Sequence, residues 1–123
     1  MPPKKQKGPT EPSKVGITWS DERFGWITRA VLLDDRELLV QLEYFEDRTS
    51  WQYSFRLHRT APDAFEGSWS CSDGAGKSGP VTATIHSGPN DRVRLQGTWV
   101  EGGVATTWET DDLRLERISS DDE

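Results

Sequence analysis

The chain has 123 residues, enough for one domain of ordinary size but not for two. Charged residues make up 29% of it, and no apolar run approaches the roughly 20 residues that a membrane-spanning helix needs, so we expect no membrane segment. The single cysteine excludes an internal disulfide framework and a cysteine-based zinc site, and the first residues lack the apolar region of a secretory signal; we therefore expect a cytoplasmic protein with no metal and no cofactor.

The two ends of the chain differ in charge from the rest. Four of the five lysines and four of the seven prolines lie in residues 1–14, which carry a net charge of +3. Such a composition cannot bury enough surface to offset the entropy of ordering, so we expect 1–14 to be a disordered basic arm and 119–123 a loose acidic tail. The predicted domain, 15–118, has a net charge of −6 and is a poor match to nucleic acid. Only the arm favours contact with phosphate.

Between these ends, apolar and polar residues alternate in short runs, which is the pattern of half-buried β-strands. Turn-forming residues separate the runs, as at 87–91 and 101–103. The pattern predicts strands at 16–20, 25–33, 38–45, 50–59, 67–72, 80–86, 92–100 and 104–117, the last broken near Asp111 and Asp112. No window shows a sustained helical stripe.

Short connections between successive strands predict antiparallel neighbours. An open eight-strand sheet would leave two exposed edges and an uncovered apolar face, and no helix is predicted to cover that face. The fold class is therefore predicted as all-β: an eight-stranded antiparallel up-and-down meander closed into a barrel, with a two-sheet β-sandwich as the alternative.

The second half of the domain echoes the first. Matching segments are 17–20 and 67–70, 42–46 and 97–101, and 55–59 and 113–117, in the same order. A four-strand half cannot bury its own apolar face, whereas two halves can close on each other. The pattern favours two duplicated four-strand halves.

Two triplets, Gly67-Ser68-Trp69 and Gly97-Thr98-Trp99, resemble the G-x-W signature of the calycin barrels, the lipocalins and avidins. The resemblance implies an up-and-down barrel that holds a small ligand in its mouth. In lipocalins the G-x-W lies on the first strand and a late arginine packs on its tryptophan, a role that the resemblance assigns to Arg114 or Arg117. The first strand departs from the signature, because 16–19 contains one residue more than G-x-W.

Three local features of the sequence suggest a specific chemistry, but in each case the surrounding residues argue against it. Residues 74–78 resemble the end of a phosphate-binding loop, but Cys71 stands where the motif needs glycine and a strand is predicted to follow. His58 and His86 lie on the polar sides of their strands with no other metal-ligating residue near in sequence. No combination of Ser, His and acid is favoured, so the sequence predicts a hairpin loop at 74–78, no metal site and no catalytic residue.

The aromatic residues are the strongest functional signal. Rings that match across the repeat, Trp19, Trp69, Tyr44 and Trp99, are predicted to form the core. Function tends to break a repeat's symmetry, and Trp26, Trp51 and Tyr53 are less well matched or lack a large partner. The residues predicted to line a ligand site are Trp26, Trp51, Tyr53, Arg56 and Trp108. Aromatic walls with one arginine suit a flat or anionic organic molecule. The alternative is that these rings only fill space between strands.

Two functions follow from these alternatives. The first is a non-enzymatic barrel that binds a small hydrophobic or aromatic ligand. The second is a protein-interaction or assembly module that has a filled core and binds a protein partner through a strand edge or an aromatic patch. They differ in whether the barrel interior is hollow.

Overall fold

The computed structural model describes residues 15–20, 23–46, 49–71 and 77–120. This part of the chain forms strands β1 Val15–Trp19, β2 Phe24–Leu33, β3 Glu37–Glu46, β4 Thr49–Ala61, β5 Ala64–Cys71, β6 Ser78–Ser87, β7 Arg92–Glu101, β8 Val104–Thr110, β9 Leu113–Arg114 and β10 Glu116–Ile118. It contains no helix. In particular, the described ranges hold no helix long and apolar enough to cross a membrane.

The sheet closes on itself. Each strand from β2 to β7 pairs antiparallel with the next, and β1 pairs antiparallel with both β2 and β8. The predicted eight-stranded antiparallel up-and-down barrel is therefore confirmed, and the sandwich alternative is not the fold. Closure removes the exposed edges that an open sheet of this length would present.

The seam of the barrel, between β2 and β7–β8, is closed by two different segments. The short strand β1 covers only residues 24–27 of β2. Beyond the break at 111–112, which the sequence predicts, β9 pairs with β7 and β10 pairs in parallel with β2 from Val31 onward. Residues 28–30 of β2 have no registered partner on this side among the described residues.

The C-terminal segment is tied to the β2–β3 turn. The backbone N–H of Ser120 donates to a carboxylate oxygen of Asp34 over 2.8 Å, and the Ser120 hydroxyl donates to the same carboxylate. The N–H of Asp34 in turn donates to the carbonyl of Ile118. Residues 1–14 and 121–123, which include the predicted basic arm and most of the predicted acidic tail, lie outside the described residues.

Aromatic side chains fill the middle of the barrel. Trp99 is fully buried and contacts four other rings, those of Trp19, Tyr53, Phe55 and Trp69. The indole N–H groups of Trp69 and Trp108 are satisfied by backbone carbonyls, over 2.8 and 3.0 Å. Since buried rings contribute large apolar areas, this layer contributes strongly to the stability of the barrel.

The glycines of the two G-x-W triplets are required by close approaches between neighbouring strands. A Cβ atom at Gly67 would lie 1.9 Å from the carbonyl oxygen of Arg56, and one at Gly97 would lie 1.8 Å from that of Thr82. Because these glycines have no Cβ, their strands can approach the backbone of the neighbouring strand closely. In each triplet this approach lies two residues before the buried tryptophan.

Candidate functional site

One end of the barrel carries the connections β1–β2, β3–β4, β5–β6 and β7–β8, and we call this end the mouth. Residues 21–22, 47–48 and 72–76, which lie outside the described residues, belong to three of these connections. The mouth is built from the last inward-pointing side chains of the strands and from charged residues next to the turns.

An ion pair lies against the aromatic core at the mouth. Arg23 Nη1 is 3.1 Å from Glu101 Oε1, and the indole N–H of Trp99 donates to the same oxygen over 3.2 Å. The Arg23 guanidinium also lies 5.4 Å from the Trp19 ring centroid and 5.8 Å from that of Trp99. The side chains of Arg23 and Glu101 are 22% and 32% exposed, so solvent screens this pair only in part.

Two polar side chains meet just below the ion pair. Tyr53 on β4 lies directly opposite Cys71 on β5, and the phenol and thiol are hydrogen-bonded. Burial raises the pKa of Tyr53 above its ordinary value, and neighbouring Cys71 and Glu101 raise it further. The phenol is therefore protonated at neutral pH and can donate a hydrogen bond.

Two further rings and a second cation line the wall of the mouth beside Trp19. Trp51 is registered directly opposite Tyr44, and both are partly buried against the core. The Lys77 ammonium lies 6.0 Å from the Trp51 ring centroid, while Tyr44 makes an edge contact with Trp19 at 6.1 Å. The wall thus combines apolar ring surface with positive charge.

One donor at the mouth has no partner. The indole nitrogen of Trp19 is buried and makes no hydrogen bond within the described chain. An unpaired buried donor destabilises by about 1–3 kcal/mol, so an acceptor that reached this nitrogen would be favoured. Because Trp19 contacts both Arg23 and Tyr44, this donor belongs to the mouth.

Of the five residues predicted to line a ligand site, the structure brings Trp51 and Tyr53 together at the mouth. Trp108 lies instead in the middle of the barrel, where it is 2% exposed and packs 5.2 Å from Phe55. Its N–H donates to a backbone carbonyl. In this position Trp108 contributes to the core and presents no surface to the mouth.

The other two lie on the outer wall. Trp26 lies between the buried residues Gly25 and Ile27, so alternation along β2 directs it outward, where it packs 4.8 Å from Phe24. Arg56 lies on the polar side of β4, where its side chain is 75% exposed and Nε is 3.7 Å from Glu37 Oε1. The five residues therefore do not form one site.

Sequence reasoning missed the charged residues of the mouth. Arg23 and Glu101 are next to turns, where charged residues are ordinary, so neither carried a signal. The resemblance to lipocalins suggested a cation on a tryptophan and gave that role to Arg114 or Arg117. Arg23 covers Trp19, whereas Arg114 lies on the outer wall at the seam and Arg117 lies 3.8 Å from Asp35.

The other sequence features lie away from the mouth or outside the described chain. His58 and His86 are exposed on the outer wall. Within the described ranges, no three His, Cys, Asp or Glu side chains are grouped so that they could hold a metal ion. The loop at 74–78 resembles the end of a phosphate-binding motif. Its residues 74–76 lie outside the described residues, and Ser78 begins strand β6 rather than a helix.

No protein-family model matches this chain, and no curated protein or solved structure is significantly similar to it. The class of the protein is therefore defined by its fold, a closed antiparallel barrel with a ring-filled middle.

Proposed function

We propose that the protein is a non-enzymatic binding barrel whose mouth takes a small, flat organic molecule with a negative charge. The supporting observation is that partly exposed rings at the mouth lie next to cations: Lys77 is over Trp51, and Tyr44 contacts Trp19, whose ring Arg23 covers. Ligand sites of this kind combine apolar aromatic walls with a few polar groups that fix orientation. The resemblance to calycin barrels, whose ligands enter at the mouth, is consistent with this proposal.

The depth of the site limits the size of the ligand. The stacked rings of Trp69 and Trp99 and the neighbouring Phe55 occupy the middle of the barrel. A ligand would therefore lie above this layer, not within the barrel. One or two fused rings with a carboxylate or sulfonate group are the expected size and chemistry.

In this proposal each polar group positions the ligand and none makes or breaks a bond. The Arg23 guanidinium, held over the Trp19 ring, would attract the negative charge of the ligand. Stacking on Trp51 would supply most of the apolar contact. Cys71 has no partner cysteine in the chain, so we place the protein in a reducing compartment such as the cytoplasm.

The proposal is tested by titrating the full chain with anilinonaphthalene sulfonate, a flat anionic dye that fluoresces when it leaves water. We expect saturable one-to-one binding. Trp51→Ala should weaken binding by about tenfold, equivalent to about 1.4 kcal/mol. Trp26→Ala is the matched control, because Trp26 is also a partly exposed tryptophan but lies on the outer wall.

The second candidate is an interaction module, and the same titration separates the two. Phe24 is 45% exposed and packs edge-on against Trp26, so two rings form an outward apolar patch that suits a protein partner. Loss of dye binding in Trp26→Ala alone would move the site to this patch and favour the interaction module. Unchanged binding in both variants, or no binding by the natural sequence, would refute the mouth as a ligand site.

A further inference from the structure

A basic groove runs along the seam of the barrel, apart from the mouth. It has a volume of about 370 Å³ and is bordered by Arg29, Arg92, Arg114 and Glu116. It lies where β2 has no registered partner at 28–30, near the start of β7. The mouth lies at the opposite end of β7, so the groove is a separate feature.

Two of these arginines face each other without a counter-charge. Arg92 on β7 is registered directly opposite Arg114 on β9, and both are exposed on the outer wall. Within the described chain neither side chain has a hydrogen bond or an ion pair. Like charges directly opposite each other on a sheet destabilise it, unless an anion lies between them.

Two neighbouring arginines, in contrast, each have an acidic partner. Arg94, two residues along the same face of β7, lies 3.6 Å from a carboxylate oxygen of Asp112. Arg29 donates from Nε and Nη2 to the two carboxylate oxygens of Glu116, over 3.1 and 3.2 Å. A guanidinium has five N–H donors, so three of those on Arg29 remain available at the groove.

We propose that this groove binds the phosphate group of a small phosphorylated molecule, with Arg92 and Arg114 as its principal ligands. The planar forks of two guanidinium groups match the oxygens of phosphate, and a doubly charged oxyanion neutralises both side chains at once. A single carboxylate would leave one charge uncompensated. Glu116 and Asp112, which lie two residues to either side of Arg114 in the sequence, are already paired with Arg29 and Arg94.

Because the domain as a whole is acidic, a ligand with several phosphates would be repelled elsewhere on the surface.

The test is calorimetric titration of the full chain with inorganic tripolyphosphate at low ionic strength. We expect one site, weakened about tenfold by Arg92→Gln and by Arg114→Gln, the loss expected for one charge-assisted hydrogen-bonding partner. Arg94→Gln is the matched control and should change the affinity by less than about twofold, since Asp112 already neutralises that side chain. If one of the two variants is destabilised, the other still tests the proposal, provided that its unfolding midpoint equals that of the natural sequence.

Three outcomes would overturn the proposal: no binding by the natural sequence, equal weakening in Arg94→Gln, or binding that is lost only when Lys4, Lys5, Lys7 and Lys14 are all changed to Gln. The last outcome would assign the anion to the N-terminal segment alone. Repeating the titration with adenosine triphosphate distinguishes the source of the phosphate. Equal affinity for both ligands assigns the site to phosphate groups alone, and tighter binding of the nucleotide assigns it to an organic phosphate.

Discussion

The indole rings of Trp69 and Trp99 stack face to face, with centroids 4.4 Å apart and planes 10° from parallel. They belong to β5 and β7, which are not neighbours in the sheet because β6 lies between them. Each ring is the third residue of a G-x-W triplet. The stack therefore joins alternate strands across the barrel interior and occupies the space that a deep ligand would need.

Truncating either stacked ring should destabilise the barrel strongly. We expect Trp69→Ala and Trp99→Ala to lower the free energy of unfolding by about 3–5 kcal/mol, because each opens a sealed apolar cavity. Trp26→Ala and Trp51→Ala should cost about 1 kcal/mol, since solvent already reaches these partly exposed rings. Urea midpoints, compared at constant slope, measure all four. An equally large loss in all four would mean that Trp51 is a core residue and would weaken the proposed mouth site.

The two G-x-W glycines should not tolerate a methyl group. At Gly67 and Gly97 a Cβ would lie less than 2 Å from a carbonyl oxygen of the next strand, so alanine forces the strands apart. We expect each variant to lose at least about 3 kcal/mol or not to fold. Gly88→Ala is the control, because its nearest contact would be an ordinary 3.4 Å. Wild-type urea midpoints for Gly67→Ala and Gly97→Ala would show that the close approach is not rigid.

The fold was predictable because its causes are local. Period-two alternation and turn residues mark each strand of the barrel, and the lack of any helix to cover an open sheet requires closure. The parallel pairing of β10 with β2 was not predictable, because the residues after 111–112 change partner without any local signal. The duplication of two four-strand halves remains a prediction.

The candidate site was predictable only in part. Aromatic content led to Trp51 and Tyr53, but mismatch within the repeat does not reveal whether a ring points inward or outward. Trp108, also predicted to line the site, is buried, and Trp26 is directed outward by its buried neighbours. Glu101 was missed because its role depends on Arg23, which is 78 positions away in the chain.

Tyr53 should make the barrel sensitive to alkali. In the unfolded chain the Tyr53 phenol ionises near its ordinary pKa of about 10. In the folded protein its pKa is raised, so the phenol keeps its proton at this pH. Stability should therefore fall as the pH rises above about 10, and this part of the loss should disappear in Tyr53→Phe. Tyrosinate absorbance should show a phenol in the folded natural sequence that titrates late and is absent from the variant. Identical alkaline stability profiles for the two proteins would contradict a buried, protonated Tyr53.

Acid should loosen the contact between the C-terminal segment and the β2–β3 turn. The N–H and hydroxyl of Ser120 lower the pKa of Asp34, so the stabilisation is present above the unfolded pKa of about 3.9 and is lost as the pH falls through the lower folded value. Hydrogen exchange of the Ser120 amide, corrected for its intrinsic pH dependence, should show less protection at about pH 2 than at about pH 5. Asp34→Asn should reduce protection at the higher pH and remove this difference. Asparagine tolerates the positive φ of 53° at this position, so the turn is expected to persist.

A second acid on the same segment provides the control. The guanidinium of Arg29 lowers the pKa of Glu116, so protonation of Glu116 also weakens the attachment of β10 to β2 in acid. Glu116→Gln should therefore reduce the acid sensitivity of the β10 amides but leave that of the Ser120 amide, which donates directly to Asp34. If Glu116→Gln removes the acid response of Ser120 while Asp34→Asn does not, the segment is held by the Arg29–Glu116 pair and the Asp34 contact is incidental.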